Sequence, residues 1–324
     1  MSLINDRKAL DLLSYTPLGA QTVRIQDKNI ESFIHWLQLH DLSSTFQQLA
    51  AVPEILSKLL ASYGNFLYQT GAPQYRFRYL LTGLQRLDPS LRFKLSHAWK
   101  LAENWQTLEP TQHREPLPPV VFKAMFALAY FLKWYDFCGV MLLSYFGPAR
   151  VGESLRALRS HLILPKDVLF EPNDRVLVYV VNPKSSRRGG AKHQHFTVRG
   201  SFQVEFLNRV FGHLDPNDAL WPHTPSMFRK CWDDILRRLY IGAEVGYLPG
   251  GLRGGGAVHA YFSNQPIPDI LWAMRLRGQK SLEHYLQEVS AVQSLQRLTD
   301  QSKSSLEMFS RLYHIIECLQ LQKH

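Results

Sequence analysis

Apolar positions recur with a helical period along most of the chain. Ile30, Phe33, Ile34 and Leu37 repeat at i, i+3, i+4 and i+7, which aligns one apolar face. Similar segments cover 53–70, 73–87 and 90–106, separated by Gly71-Ala72-Pro73 and Asp88-Pro89-Ser90, which are turn and helix-start signals. Residues 1–26 lack such a period and read as an N-terminal arm, so the pattern predicts a small all-helical bundle over 27–112. Glu109 to Pro119 is polar and proline-rich. Proline lacks a backbone donor and biases the residue before it to extended geometry, so this stretch reads as a domain linker. Beyond it the pattern predicts helices over 119–132 and 134–146, another opening near Ala149, and more at 202–213, 224–240, 255–264, 266–276, 280–290 and 305–321. Ser304 with Glu307 suits a capping box for the last of these. Strands are expected only at 175–182 and 194–199, where β-branched and aromatic residues concentrate. Between them, Pro183 to His193 carries four basic residues and two glycines, a basic hairpin loop. The fold class expected is mainly α with a small β-hairpin or sheet.

Composition narrows the partner more than the fold. Of 324 residues 45% are hydrophobic and 20% charged, as in a folded domain. The longest apolar stretches, Ala124–Leu132 and Phe137–Phe146, are far shorter than the roughly 20 residues of a membrane span. Cys138, Cys231 and Cys318 have no metal-ligand spacing, and with no basic-then-apolar leader they imply an intracellular, reducing setting. The formal net charge is +10, and its distribution is uneven. From Arg175 to Val204 there is no carboxylate, yet Arg175, Lys184, Arg187, Arg188, Lys192 and Arg199 fall there. Arg253, Arg275, Arg277 and Lys280 form a second group. Such patches suit a phosphate backbone, whose neutralisation releases counterions.

Four residues stand out within this frame, each with a plain alternative. Arg150 follows Gly147-Pro148 at a helix start, where backbone donors and a bidentate fork favour a phosphate; it could equally be a surface arginine paired with Glu153. Arg253 lies in Pro249-Gly250-Gly251-Leu252-Arg253-Gly254-Gly255-Gly256, where glycines permit close approach to a ligand or simply make a flexible loop. Lys184 ends the first strand of the hairpin, where it could reach into a duplex groove or remain one solvated charge. Tyr285 is a weak nucleophile unless cations stabilise its anion, and any single tyrosine is more often a packing residue.

As a set, these residues resemble the catalytic domain of tyrosine recombinases over about 115–290. Gly147 to Leu155 is similar to the family's first arginine turn, with one extra residue. Lys184 matches the hairpin lysine, Gly250-Gly251-Leu252-Arg253 matches part of the His-x-Leu-Arg box, and Tyr285 lies thirty-two residues after Arg253. Residues 53–112, with Tyr75-Arg76-Phe77-Arg78-Tyr79, look like the family's core-binding domain, and the phrases around Arg253 and Tyr285 look most like eukaryotic mobile-element members. The resemblance implies an N-terminal arm (1–26), a helical DNA-clamping domain (27–112), a catalytic domain (113–300) and a C-terminal helix (301–324) that packs in place or docks on a neighbouring subunit. It implies catalytic Tyr285, Arg150, Arg253 and Lys184, with Glu153 supporting them. DNA contacts would come from Arg187, Arg188, Lys192, Arg199, Arg275, Arg277 and Lys280. The implied chemistry is cleavage and rejoining of double-stranded DNA through a 3′-phosphotyrosyl link, without metal or nucleotide cofactor. Self-association on DNA, from dimer to tetramer, and a nuclear location in a eukaryote would follow, with no membrane role. Two positions depart from the family pattern. Gly250 stands where a histidine is expected, and Leu276 where a histidine or tryptophan is. His259, nearby in sequence, is expected to be a core or supporting group. The rival readings are a DNA-binding derivative that no longer cuts, a type IB topoisomerase, and a basic helical interaction module with no DNA role.

Overall fold

A computed structural model describes residues 18–42, 45–110, 114–168, 174–181, 183, 194–276, 278–283, 285–286 and 288–321, without the side chains of Lys280, Glu288, Gln320 and Leu321. The chain divides into two compact units, Met1–Gln112 and His113–His324.

In the first unit, helices α1 (Ala20–Leu39), α2 (Phe46–Ala51), α3 (Pro53–Gln69), α4 (Gln74–Leu87) and α5 (Ser96–Leu108) enclose one apolar core. Phe33, Leu56, Leu60, Phe77, Leu80 and Leu84 are fully buried there, as the 3.6-residue period demands. The expected arm is corrected in part, because α1 begins at Ala20 rather than beyond residue 26. Its first turns pack through polar residues, which weakens the apolar period. Gln26 is buried and donates to Thr82 Oγ1 at 3.2 Å. The helix expected over 90–106 resolves into a 3₁₀ turn at Pro89–Leu91 followed by α5.

The second unit is built on α6 (Pro119–Phe131) and α7 (Tyr135–Tyr145), whose residues are buried on nearly every side of α7. A single turn, α8 (Val151–Ser154), precedes an antiparallel sheet of β1 (Leu162–Ile163), β2 (Arg175–Val180) and β3 (Gln194–Arg199) in that order. Val176, Val178 and Val180 face the core with Phe196 and Val198, the alternation of a half-buried sheet. The two-residue β1 is too short to show a period and went unforeseen. Helices α9 (Ser201–Phe211), α10 (Pro225–Arg238), α11 (Gly251–Phe262), α12 (Ile267–Ala273), α13 (Gln279–Glu283), α14 (Glu288–Gln296) and α15 (Asp300–Leu321) complete the unit. The single helix expected over 280–290 is thus two. Helix α15 packs on α6, with Tyr313 and Ile316 buried and the Tyr313 ring 5.3 Å from Phe126. It starts a turn early, capped by Thr299, whose hydroxyl accepts the Ser302 N–H at 3.1 Å. Ser304 therefore lies inside the helix and is no cap. No helix among the described residues is long and apolar enough to cross a membrane.

Two features of this unit position the site. Residues 114–118, expected as linker, run along the first turn of α11, where the Leu117 N–H donates to Gly251 O at 3.1 Å and Leu117 is buried. Helix α11 itself begins at Gly251, four residues ahead of expectation, and passes through Gly254-Gly255-Gly256. A Cβ on Gly255 or Gly256 would collide with the backbone oxygens of Leu117 or Tyr145. The close approach these glycines allow is therefore to the protein's own backbone, and it carries Arg253 into the interior.

Candidate phosphate-binding site

Arg150, Glu153, Arg253 and Arg275 form one hydrogen-bonded ring built from three separate segments. Arg150 is the N-cap of α8 in extended geometry, and its Nη1 donates to Glu153 Oε1 at 2.8 Å while its N–H donates to Oε2 at 3.1 Å. The pairing weighed as the plain alternative for Arg150 is present, and it belongs to a larger cluster. Glu153, its side chain only 5% exposed, also accepts from Arg275 Nη2 at 2.6 Å. Arg275 follows α12 in the left-handed region (φ 56), and its guanidinium lies 5.5 Å from the Phe196 ring on β3. Expected among the DNA-contacting cations, it lies against Glu153 with 9% of its side chain exposed. Arg253, 3% exposed, closes the ring by donating Nη1 to Pro148 O at 2.8 Å and Nη2 to Met274 O. The half-buried Tyr285 ring lies 5.5 Å from the Arg253 Cζ.

Three guanidinium groups gather here around one carboxylate, which pairs with only two of them, Arg150 and Arg275. Burial alone would raise the Glu153 carboxyl, but Arg275 and then Arg150 hold it below the ordinary carboxylate range. Burial, together with the like charges of Arg150 and Arg275, lowers the Arg253 guanidinium. Its cationic form is therefore held in unfavourable surroundings. Arg253 Nε, Arg275 Nε and Arg275 Nη1 are buried with no acceptor. An unmet buried donor costs about 1–3 kcal/mol, and this cluster holds three together with positive charge that its one carboxylate does not balance.

The other expected residues divide sharply. Lys184, Arg187, Arg188, Lys192 and Arg277 lie outside the described residues. Lys280 falls in α13, its side chain undescribed, and Arg199 is exposed at the end of β3 opposite Arg175. His259 packs against the rings of Tyr145 and Phe146, at 5.9 and 5.8 Å, and burial followed by the Lys123 charge lowers its imidazole. Leu276 is half-buried against the apolar cluster of Ala257, Ile270, Met274 and Leu282. At Gly250 a Cβ would collide with Arg114 Nη1, so the space of a side chain there is filled by another residue's guanidinium. Sequence reasoning did not single out Arg114, because nothing in a proline-rich segment marks one arginine as lying against Gly250, 136 residues away.

No family model and no curated protein sequence matches the chain. Among solved structures, the Tn1549 transposon integrase in complex with transposon right end DNA matches with a TM-score of 0.50 at 11% identity, covering 91% of this chain and 96% of that one. The XerA recombinase matches with a TM-score of 0.42 at 13% identity, covering 96% and 94% of the two chains. The chain has the tyrosine-recombinase fold. Within this fold, the arginine ring sits where the α8 turn, the α11 start and the turn after α12 meet. A cleft of about 660 Å³ opens beside Glu153, lined by Arg156, His161, Tyr179 and Phe196. Strand β2 forms one wall of that cleft.

Proposed function

We propose that the protein binds duplex DNA and breaks and rejoins a strand through a 3′-phosphotyrosyl link at Tyr285. The trio of buried, unpartnered N–H groups on Arg253 and Arg275, beside a tyrosine ring 5.5 Å from Arg253, carries this reading. A DNA phosphate offers the several anionic oxygens such donors require. The DNA complex formed by the structurally similar Tn1549 integrase supports the choice of duplex.

In this reading Arg150 and Arg253 neutralise charge growing on the non-bridging oxygens, where preorganised cations contribute most. Arg275 adds its free N–H groups, and Glu153 holds Arg150 and Arg275 in place. The Tyr285 oxygen attacks phosphorus and gives up its proton to solvent, the P–O5′ bond breaks, and Lys184 protonates the departing 5′-oxygen. A 5′-hydroxyl then attacks the phosphotyrosine and restores the diester. One ester is exchanged for another, so the cycle requires no nucleotide hydrolysis. Arg187, Arg188, Lys192, Arg199, Arg277 and Lys280 would hold flanking phosphates, and exchange between two duplexes implies dimer-to-tetramer assembly on DNA.

A suicide duplex that loses its 5′ fragment after cleavage should trap the wild-type chain covalently and leave Tyr285→Phe free. Equal trapping by the variant overturns the reading. Salt-dependent duplex binding with no adduct on any substrate would instead identify a DNA-binding derivative, which the lack of an imidazole or indole at Gly250 and Leu276 favours. Relaxation of supercoiled DNA by a monomer would identify a topoisomerase.

A further inference from the structure

Arg114 is exposed and overlies Gly250 at the start of α11. A Cβ built on Gly250 would sit 2.9 Å from Arg114 Cδ and 3.0 Å from Cζ, so the guanidinium is laid across the start of α11. The segment bearing it is pinned there. The Leu117 N–H donates to Gly251 O at 3.1 Å, and a Cβ on Gly254 would meet both Pro116 Cβ at 3.6 Å and Tyr285 Cδ1 at 3.8 Å. Arg114, Tyr285 and Arg253 thus surround one helical turn. That turn is the positive end of a twelve-residue helix dipole. It also contains the buried Arg253, whose Nε has no acceptor.

Arg114 itself is exposed, so it adds accessible positive charge over this turn, and no counter-charge among the described residues offsets it. Arg114 has no hydrogen-bond or ion-pair partner among the described residues. The adjacent Glu115 is engaged elsewhere, accepting from Arg297 Nη2 at 2.6 Å and from the Ser290 hydroxyl. Helix dipole, buried cation and free guanidinium together ask for an anion on this turn.

We propose that Arg114 is a catalytic phosphate ligand of this site, occupying the space that Gly250 leaves empty. The inference rests on the DNA-cleaving reading and names a residue that reading did not contain. In this role Arg114 neutralises phosphate charge and donates N–H groups to its oxygens.

The test compares the full wild-type chain with Arg114→Ala, Arg114→Lys and the double variant Arg114→Ala/Gly250→His on a suicide duplex. Arg114→Ala should slow covalent trapping by roughly 100-fold, the scale of losing one oxyanion donor, with duplex affinity nearly unchanged. Arg114→Lys should recover part of the rate. The deficit should vanish on a methylphosphonate substrate, which lacks the charged oxygen that Arg114 neutralises. The double variant should regain much of the lost rate and acquire a pH inflection near about 6.5, where an ordinary histidine titrates. A wild-type rate for Arg114→Ala on the diester overturns the proposal, as does an equal deficit on both substrates.

If the wild-type chain traps no DNA, calorimetry with inorganic phosphate separates the two ideas. Phosphate binding that Arg114→Ala weakens about tenfold, and that Arg92→Ala (an exposed arginine of the first unit) leaves unchanged, supports the ligand role without cleavage. Equal phosphate affinity in wild type and Arg114→Ala, or no phosphate binding by either, overturns it.

Discussion

Arg159 and Arg253 are both buried in the second unit, at 8% and 3% exposure, and their surroundings differ in one respect. Arg159 has its own counter-charge. Its Nη2 donates to both Asp167 oxygens, at 2.6 and 2.9 Å, and its Nη1 to Leu162 O at 3.0 Å. Asp167 also accepts the Leu164 N–H at 2.8 Å, so the pair braces the turns on either side of β1. Arg253 donates to two carbonyl oxygens and to no carboxylate, and the nearby Glu153 is already shared by Arg150 and Arg275. A buried arginine with a matched carboxylate is a brace. One left in excess beside others has no carboxylate of its own among the described residues.

The strongest way to break this contrast is by rate. Arg253→Ala should reduce covalent trapping of DNA by about 10²–10³-fold, whereas Asp167→Ala should leave the rate of the folded protein near wild type. Comparable losses from the two substitutions would erase the distinction. Stability should rank them in the opposite order. Asp167→Ala strands the Arg159 charge; because Asp167 is part-exposed, the cost should be about 2–3 kcal/mol, below the full penalty for breaking a buried pair. In a unit of this size that lowers Tm by roughly 5–10 °C. Arg253→Ala removes a charge and strands none, so its melt should shift less.

Acid offers the smallest and sharpest test. The folded Glu153 carboxyl lies below its unfolded value. Its contribution is therefore fully present above the unfolded carboxylate pKa of about 4.3 and is lost as pH falls through the folded value. A difference curve between wild type and Glu153→Gln, measured by chemical denaturation, should be flat above about pH 5 and shrink below it, by about 1.4 kcal/mol for each unit of depression. A difference that grows towards low pH would contradict the pairing of Glu153 with Arg150 and Arg275.

Local patterns made much of the second unit legible. β2 and β3 fall where β-branched residues alternate, and α6, α7 and α10 fall within a residue or two of the periods that predict them. The Arg150–Glu153 pair was visible because its members are three residues apart on one turn. Arg275–Glu153 was not, since 122 residues separate them and a left-handed residue after α12 turns the side chain inward. The start of α11 was misjudged for a related reason. Glycine is a poor helix former in isolation, and only the backbones of Leu117 and Tyr145 pressed against Gly255 and Gly256 make glycine the residue that fits there.

By itself the sequence determined the helical bundle, the strands β2 and β3, the surplus of positive charge and the spacing that links Arg150, Arg253 and Tyr285. These depend on near neighbours or on counting, and both survive without coordinates. Tertiary structure alone decided which charges are neutralised and which remain. Packing of α11 buried Arg253 without a carboxylate, the turn after α12 delivered Arg275 to Glu153, and the 114–117 segment laid Arg114 over Gly250. Electrostatic balance in a low-dielectric interior is a property of distances between remote segments, and no local pattern encodes it.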